Sequence, residues 1–421
     1  MSRRKYAATA PRHWAWRPRP PPGWWTRRSP DTQRSSRTSR SRLADMASTG
    51  IPLPLAGMKV LDATRVLAGP YCTYLLGLLG AEVVRVERPG GDTIRWRRRA
   101  NSALGAAGLS TDYIAQACNK DVVYLDLAHA AGQAMFLDRL AGSDVLVENF
   151  RTGALARLGL DEARIRAARP GLVWCSITGY GGAGARAAYP AYDSVIQAAS
   201  GMMNLTGDAR SGPMKAGAPV IDYASGLNAA LGVMAAWIGQ RRHSRFEGTR
   251  VEVSMLDSAL ALMHSTVAGH LNGTESLEGR GNAASSGNPL SRCYDAADGR
   301  VCIAVNEPHQ RRALLAALGL AALSGLDDHA LSGHVQAAIR QRSVPDLDAS
   351  LNTAGAPCAP VQGLDRAVAA ACAADPGFVR SPPGAPAMRI VGLPFRLDGS
   401  RGALTQAPGA PAPRESPPAS A

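Results

Sequence analysis

The chain has 421 residues, 46% of them hydrophobic and 19% charged, which is material for a folded core and excludes a fibrous or wholly disordered chain. Its formal charge of +14 would suit nucleic acid or an anionic membrane if it were spread over the fold, but residues 1–45 hold 12 of the 47 basic residues and only 2 of the 33 acidic ones. The rest of the chain is close to neutral and has no apolar run of membrane-spanning length, so neither nucleic acid nor membrane is an expected partner.

In chain order, the first segment carries four of the seven Trp with runs of Pro and Arg, and no Val, Ile, Phe or Glu. It lacks the apolar stretch of a secretory signal, and its prolines and absent helical period argue against a mitochondrial presequence. Residues 1–46 are read as a disordered or mis-assigned extension, with translation expected to begin at Met46. From Leu55 two periods alternate. "MKVLDAT", "AEVVRVE", "DVVYLDL", "DVLVENF" and "GLVWCSIT" read as strands; "GPYCTYLLGLLG", "HAAGQAMFLDRLAG" and "GALARLGLDEARIRAARP" read as helices. Such alternation predicts βαβ units and a parallel sheet covered on both faces. Further on, "APVI" reads as another apolar strand closed by Asp222, with "YASGLNAALGVMAAWIGQ" as the helix after it. Beyond Arg245 come a strand and helix, a Gly/Asn/Ser stretch, and "SRCYDAADGRVCIAV" as a hairpin with an Asp-Gly turn. A smaller mixed unit follows, "RIVGLPFRLDG" suggests a strand returning to the first unit, and residues 405–421 read as a disordered Pro/Ala tail.

The motifs exclude several chemistries. "GYGGAG" at 179–184 satisfies GxGxxG, but Pro190 interrupts the helix it needs and no acid stands about twenty residues on. It reads as a loop at a strand's carboxyl end. No phosphate loop, nucleophile elbow or HExxH is present, and the seven Cys form no CxxC pair. Neither a metal site nor a disulfide framework is expected, and the reading is cytoplasmic. Arg88, Lys120 and Arg157 fall near ends of successive βα units, and Asn149-Phe150 ends a strand. Cations and an aromatic there suit phosphates and a purine, or are ordinary surface residues.

Asp222 is the only charge between Lys215 and Arg241. An Asp between a strand and a helix is a natural N-cap. It is also a nucleophile that needs no base, being ionised at neutral pH if unperturbed, with helix-terminal N–H groups available to steady an oxyanion. The small neighbours Ala224, Ser225 and Gly226 would let a bulky ester approach. Asp193 in "PAYDSVIQAASG" is a second acid at a loop–helix junction.

The ordered stretches "LAGMKVLDATRVLAGPYCTYLLGLLGAEVVRVERPGGD", "NKDVVYLDL", "SDVLVENFRTGALARLGL", "CSITGYGGAG", "AYDSVIQAASGMMNLTG" and "APVIDYASGLNAALG" together resemble the family III CoA-transferases, a superfamily that includes the α-methylacyl-CoA racemases. The resemblance covers roughly Leu55 to Leu397. It implies an α/β fold with a Rossmann-like parallel-sheet large domain and a smaller α+β domain, in an interlocked homodimer. The division it suggests is 55–272 for the large domain, 273–372 for the smaller one and 373–404 for the return segment. It implies Asp222 as the catalytic aspartate, attacking an acyl-CoA thioester to give an aspartyl anhydride and then an aspartyl-CoA thioester before a carboxylic acid accepts the CoA. Coenzyme A enters as substrate, with no tightly bound cofactor. Contacts to it are implied at Val66, Ala68, Arg88, Lys120, Asn149, Phe150 and Arg157, with Asp193, Tyr192 and Asn288 as accessory candidates. "GNAASSGNP" stands where a glycine-rich loop shields the intermediate in formyl-CoA transferase. The chain departs from that branch at Arg65 and Leu67, and from the racemases at Tyr192, which replaces their His and weakens the alternative of proton transfer at the α-carbon. "VENF" and "SITGYG" look most like members handling succinyl or related dicarboxylyl groups.

Overall fold

The computed structural model describes residues 53–97, 102–243, 248–274, 277–409 and 411. The reading of residues 1–46 as an extension, and most of the tail, lie outside these residues. Six strands, β1 (Lys59–Ala63), β2 (Glu82–Glu87), β3 (Lys120–Tyr124), β4 (Val145–Glu148), β5 (Val173–Thr178) and β6 (Thr249–Ser254), pair in parallel in the order β3-β2-β1-β4-β5-β6. This is the doubly wound order in which the chain reverses direction between β1 and β4, leaving a crevice outside their carboxyl ends. The helices between them include α1 (Ala68–Leu78), α2 (Thr111–Ala117), α3 (Ala130–Ala141), α4 (Ala154–Arg157), α5 (Glu162–Ala168), α6 (Asp193–Ala199) and the long α7 (Val220–Arg242), with α8 (Met255–Leu262) after β6.

Burial on both faces explains the continuous apolar strands. Val60, Val145, Val173 and Cys175 pack with Leu76, Ile221 and Val233 on the α1 and α7 side, while Leu61, Leu146 and Trp174 meet Phe136, Leu140 and Ile165 on the α3 and α5 side. The run read as one helix over 153–170 is two, because Gly159 adopts a left-handed φ of 75° and Asp161 caps a fresh start by accepting from Arg164 N.

A second core forms around Leu290, Tyr294, Val301, Leu314, Val335 and Leu351. Its antiparallel sheet is β7 (Arg292–Asp295), β8 (Arg300–Ile303) and β9 (Cys358–Pro360), covered by α9 (Pro308–Ala317), α10 (Asp328–Arg340) and α11 (Val344–Ala354). The expected hairpin is there, closed by Ala296 N donating to Gly299 O at 2.9 Å. The "RIVG" segment pairs with Val379–Arg380 and not with the six-stranded sheet, but Tyr74 Oη donates to Val391 O, tying it to α1. Residues 405–409, read as tail, are held as well: Thr405 N and Gln406 N donate to Asn119 Oδ1, and Arg95 Nη1 donates to Gly409 O.

Sequence periodicity gave no sign of the buried ionic cluster at the end of β2. Arg85 pairs with Glu87 and Asp92, and Arg95 with Glu87, all under the ring of Tyr113.

Candidate active site

The site lies in the crevice at the β1/β4 reversal. A cavity of about 390 Å³ is bounded by the loop Arg65–Ala68, by Asn149–Thr152 after β4, by Thr178, Gly179, Ala187 and residues 189–192 after β5, and by Asp222. A smaller cavity of about 200 Å³ shares Arg65 and Phe150 with it and continues past Arg88 over the ends of β2 and β3.

The loop after β1 is held from three directions. Val66 has a φ of 66°, a left-handed conformation that a β-branched residue resists. Asn149 clamps the preceding residue with both ends of its amide, Oδ1 accepting from Arg65 N at 2.7 Å and Nδ2 donating to Arg65 O at 2.8 Å. Gln116 Nε2 donates to Val66 O at 2.8 Å. Below the loop, Asp62 accepts from Thr64 N, Thr73 Oγ1 and Lys120 Nζ, and Lys120 also donates to Pro70 O in the first turn of α1. The Arg65 guanidinium then sits 4.9 Å from the centre of the Phe150 ring.

Asp222 is brought to this loop by helix packing. A Cβ on Gly226 would meet Ala68 O at 2.6 Å, so α7 crosses α1 at a distance only glycine permits. The small residues Ala224, Ser225 and Gly226 are all buried. They serve that crossing and do not open a path for substrate. No strand precedes Asp222: α7 begins at Val220 with Pro219 as N-cap, and Asp222 lies in its first turn. A four-residue apolar run cannot by itself distinguish strand from buried helix. Nor is Asp222 the cap. The Asp193 carboxylate does that work from α6, its Oδ2 accepting from Ile221 N at 2.7 Å and Asp222 N at 3.3 Å. These N–H groups are therefore engaged and not available to an oxyanion.

Asp222 faces the cavity, 9% exposed, with no cation paired to it among the described residues. Burial, then the neighbouring Asp193 charge, push its pKa up to about 7, opposed by Arg97. The unperturbed carboxylate expected from sequence is corrected accordingly: the acid is poised near neutrality. Perturbed acids in clefts mark functional sites.

The profile of the family described as CoA-transferase family III matches residues 55–413. The chain belongs to CoA-transferase family III. It is 34% identical over 279 residues to the succinate–glutarate CoA-transferase of Agrobacterium fabrum, a match taking in 64% of this chain and 68% of that protein. It is 34% identical over 259 residues to the succinyl-CoA:glutarate CoA-transferase of Homo sapiens, covering 61% of this chain and 57% of that one. Among solved structures it resembles a CAIB/BAIF family protein from Brucella suis, with a TM-score of 0.72, 27% identity, and 85% of this chain and 96% of that chain covered. The relatives' names agree with the dicarboxylate likeness of "VENF" and "SITGYG".

Against this family III frame the expected residues divide. Val66, Ala68, Asn149, Phe150, Tyr192 and Asp222 line one cavity, and Arg88 lines its neighbour. Asn149 spends its amide on the loop backbone, which makes it a clamp. Lys120 is corrected: it is 2% exposed, paired with Asp62 at 3.0 Å, and faces neither cavity. A cation near the end of a βα unit suits either a phosphate contact or the surface, but β3 starts at Lys120 and its side chain runs under α1. Arg157 is exposed on α4 and lines neither cavity, and Asn288, whose Oδ1 accepts from Leu290 N in a local turn, lines neither of them. The "GNAASSGNP" stretch is likewise absent from the lining. Sequence reasoning missed Arg65 and Arg151, which line the larger cavity, and the capping role of Asp193. Among the described residues, no cluster of His, Cys, Asp or Glu could hold a metal ion, and no helix is long and apolar enough to cross a membrane.

Proposed function

We propose that the protein transfers coenzyme A from succinyl-CoA, or a closely related dicarboxylyl-CoA, to a dicarboxylic acid of glutarate type, with Asp222 as nucleophile. The observation that carries this is a buried acid without a partner cation, facing a cavity formed by the loops of the sheet reversal. An Asp222 oxygen attacks the thioester carbonyl, the C–S bond breaks, and CoA leaves as thiolate. The thiolate then attacks the Asp222 carbonyl carbon of the anhydride, releasing the first acid and leaving an aspartyl-CoA thioester. The acceptor carboxylate repeats the sequence in reverse, forming its own anhydride with Asp222 and leaving as the new acyl-CoA. Bond energy is exchanged between thioesters, so no nucleotide is consumed.

The start of α1 supports this chemistry. Leu67 and Ala68 line the cavity at a helix start with no side-chain cap, so their N–H groups are the dipole-positive donors available to a developing oxyanion. Arg65 and Arg88 at the smaller cavity suit the phosphates of CoA, with Phe150 beside them. Arg65 and Arg151 are the cations of the larger one and suit a distal carboxylate. The proton-transfer alternative has Tyr192, half exposed, where a second base is required. An interlocked homodimer belongs to the proposal as well, supported by the exposed Leu227, Leu231 and Ile238 on α7. The test is a screen of succinyl-, acetyl- and propionyl-CoA against mono- and dicarboxylic acids, following exchanged thioesters. Succinyl-CoA with five- or six-carbon diacids should give the highest rates, as expected for a site with cations at two ends. Exchange confined to monocarboxylates would overturn the substrate assignment.

A further inference from the structure

No bond is made or broken at Asp193 in the transfer chemistry, yet this acid is buried beside the nucleophile, 7% exposed. Among the described residues no cation pairs with it, and burying an unneutralised charge is costly. Every oxygen it carries is committed instead. Oδ2 takes the first-turn N–H groups of Ile221 and Asp222, and Oδ1 accepts from Gln197 Nε2 at 2.5 Å. Gln197, one turn further along α6, is 0% exposed, and its remaining amide atom Oε1 accepts from Ala216 N at 2.9 Å. A reversed amide would set donor against donor at Ala216, so the direction of Gln197 is fixed. Three pieces of chain, α6, the segment entering α7, and α7 itself, are thus tied together through the Asp193–Gln197 pair.

We propose that Asp193 and Gln197 form a positioning relay for Asp222, an inference that rests on Asp222 being the nucleophile: Gln197 fixes Asp193, and Asp193 fixes the first turn of α7 while setting a negative charge beside the reacting carboxylate. The backbone bonds orient Asp222 towards the loop Arg65–Ala68. The adjacent charge makes Asp222 a more basic, hence more strongly attacking, carboxylate than a solvated one. The other groups around it are few. Arg97, which follows the 3-10 turn Thr93–Trp96 and approaches Asp112 only at 4.0 Å, opposes the effect, and the Tyr71 and Tyr223 rings meet edge to face without charge.

The experiment is the pH dependence of transfer kinetics between about pH 5 and 9 for the unaltered enzyme, Asp193→Asn and Gln197→Met. Asp193→Asn keeps an acceptor for the two backbone N–H groups and removes the charge, although its amide NH2 then stands against Gln197 Nε2 and gives up that bond. Its acid-limb midpoint should move down by about one pH unit or more, because a like charge has been removed. Gln197→Met leaves the charge and loosens its holder. Its kcat should fall about tenfold with the KM for acyl-CoA within about twofold and the midpoint in place, as expected for lost orientation. An unmoved midpoint in folded Asp193→Asn, or an unchanged kcat in Gln197→Met, would overturn the relay. Should Asp193→Asn fail to fold, Gln197→Met decides alone. Hydroxylamine trapping separates the two levels: a hydroxamate at Asp222 with unmoved kinetics refutes the relay, whereas no hydroxamate there refutes the nucleophile.

Discussion

Two acids are buried on either side of α1, and they differ in what each was buried with. Asp62 is 0% exposed beneath the helix, where burial alone would raise its pKa; Lys120 and Arg85, with the Thr64 and Thr73 hydroxyls, reverse the effect and hold it below the usual carboxylate range. Asp222, beyond the same helix, is given a second acid for a neighbour and rises to about 7. A satisfied pair is an architectural element, and its removal shows as instability. An acid left without a cation beside a cavity is held at a free-energy cost, and such costs persist where chemistry uses them.

The largest expected effect breaks the comparison on the catalytic side. Asp222→Ala should lower kcat for CoA transfer by about 10⁴-fold or more, as for other covalent nucleophiles, with an unchanged circular dichroism spectrum. Next, Lys120→Met strands Asp62 as a buried unpaired charge and should cost about 3–5 kcal/mol in urea unfolding, with loss of activity following loss of fold. A third test reverses the usual sign. Folded Asp222 retains a proton that the unfolded chain releases above pH 3.8, so the protein loses stability as pH rises from there through about 7. Asp222→Asn should therefore be more stable than the parent by up to about 4 kcal/mol at pH 8, with the gain vanishing near pH 4. Thermal melts at the two pH values check it, and equal melting at both would contradict the buried-acid account. The smallest effect falls on the loop that both acids flank. Asn149→Ala frees Arg65 and relaxes Val66, and should raise the KM for acyl-CoA about tenfold, equivalent to about 1.4 kcal/mol, with less change in kcat.

How much of this was legible in the sequence follows from the range of each interaction. The parallel sheet could be read because apolar strands such as "DVLVENF" alternate with helical periods, a local signal. Asp222 stood out because a lone acid in an apolar run is local too. Its cap could not be read, since Asp193 lies 29 residues away and reaches across from another helix. Asn149 was visible as an amide at a strand end, but its partner Arg65 is 84 residues distant. Lys120 was misplaced because a charge at the start of a strand looks the same whether it faces solvent or runs beneath a helix. The cluster of Arg85, Glu87, Asp92 and Arg95 left no pattern, as strand periodicity records polarity and not pairing.

The central claim is that Asp222 becomes acylated during turnover. Its most direct test is to incubate the enzyme with succinyl-CoA, quench with hydroxylamine, and map the peptides by mass spectrometry. A hydroxamate at Asp222 that disappears when acyl-CoA is omitted is the predicted result. A hydroxamate at Asp193, or turnover with no modified carboxylate at all, would contradict it.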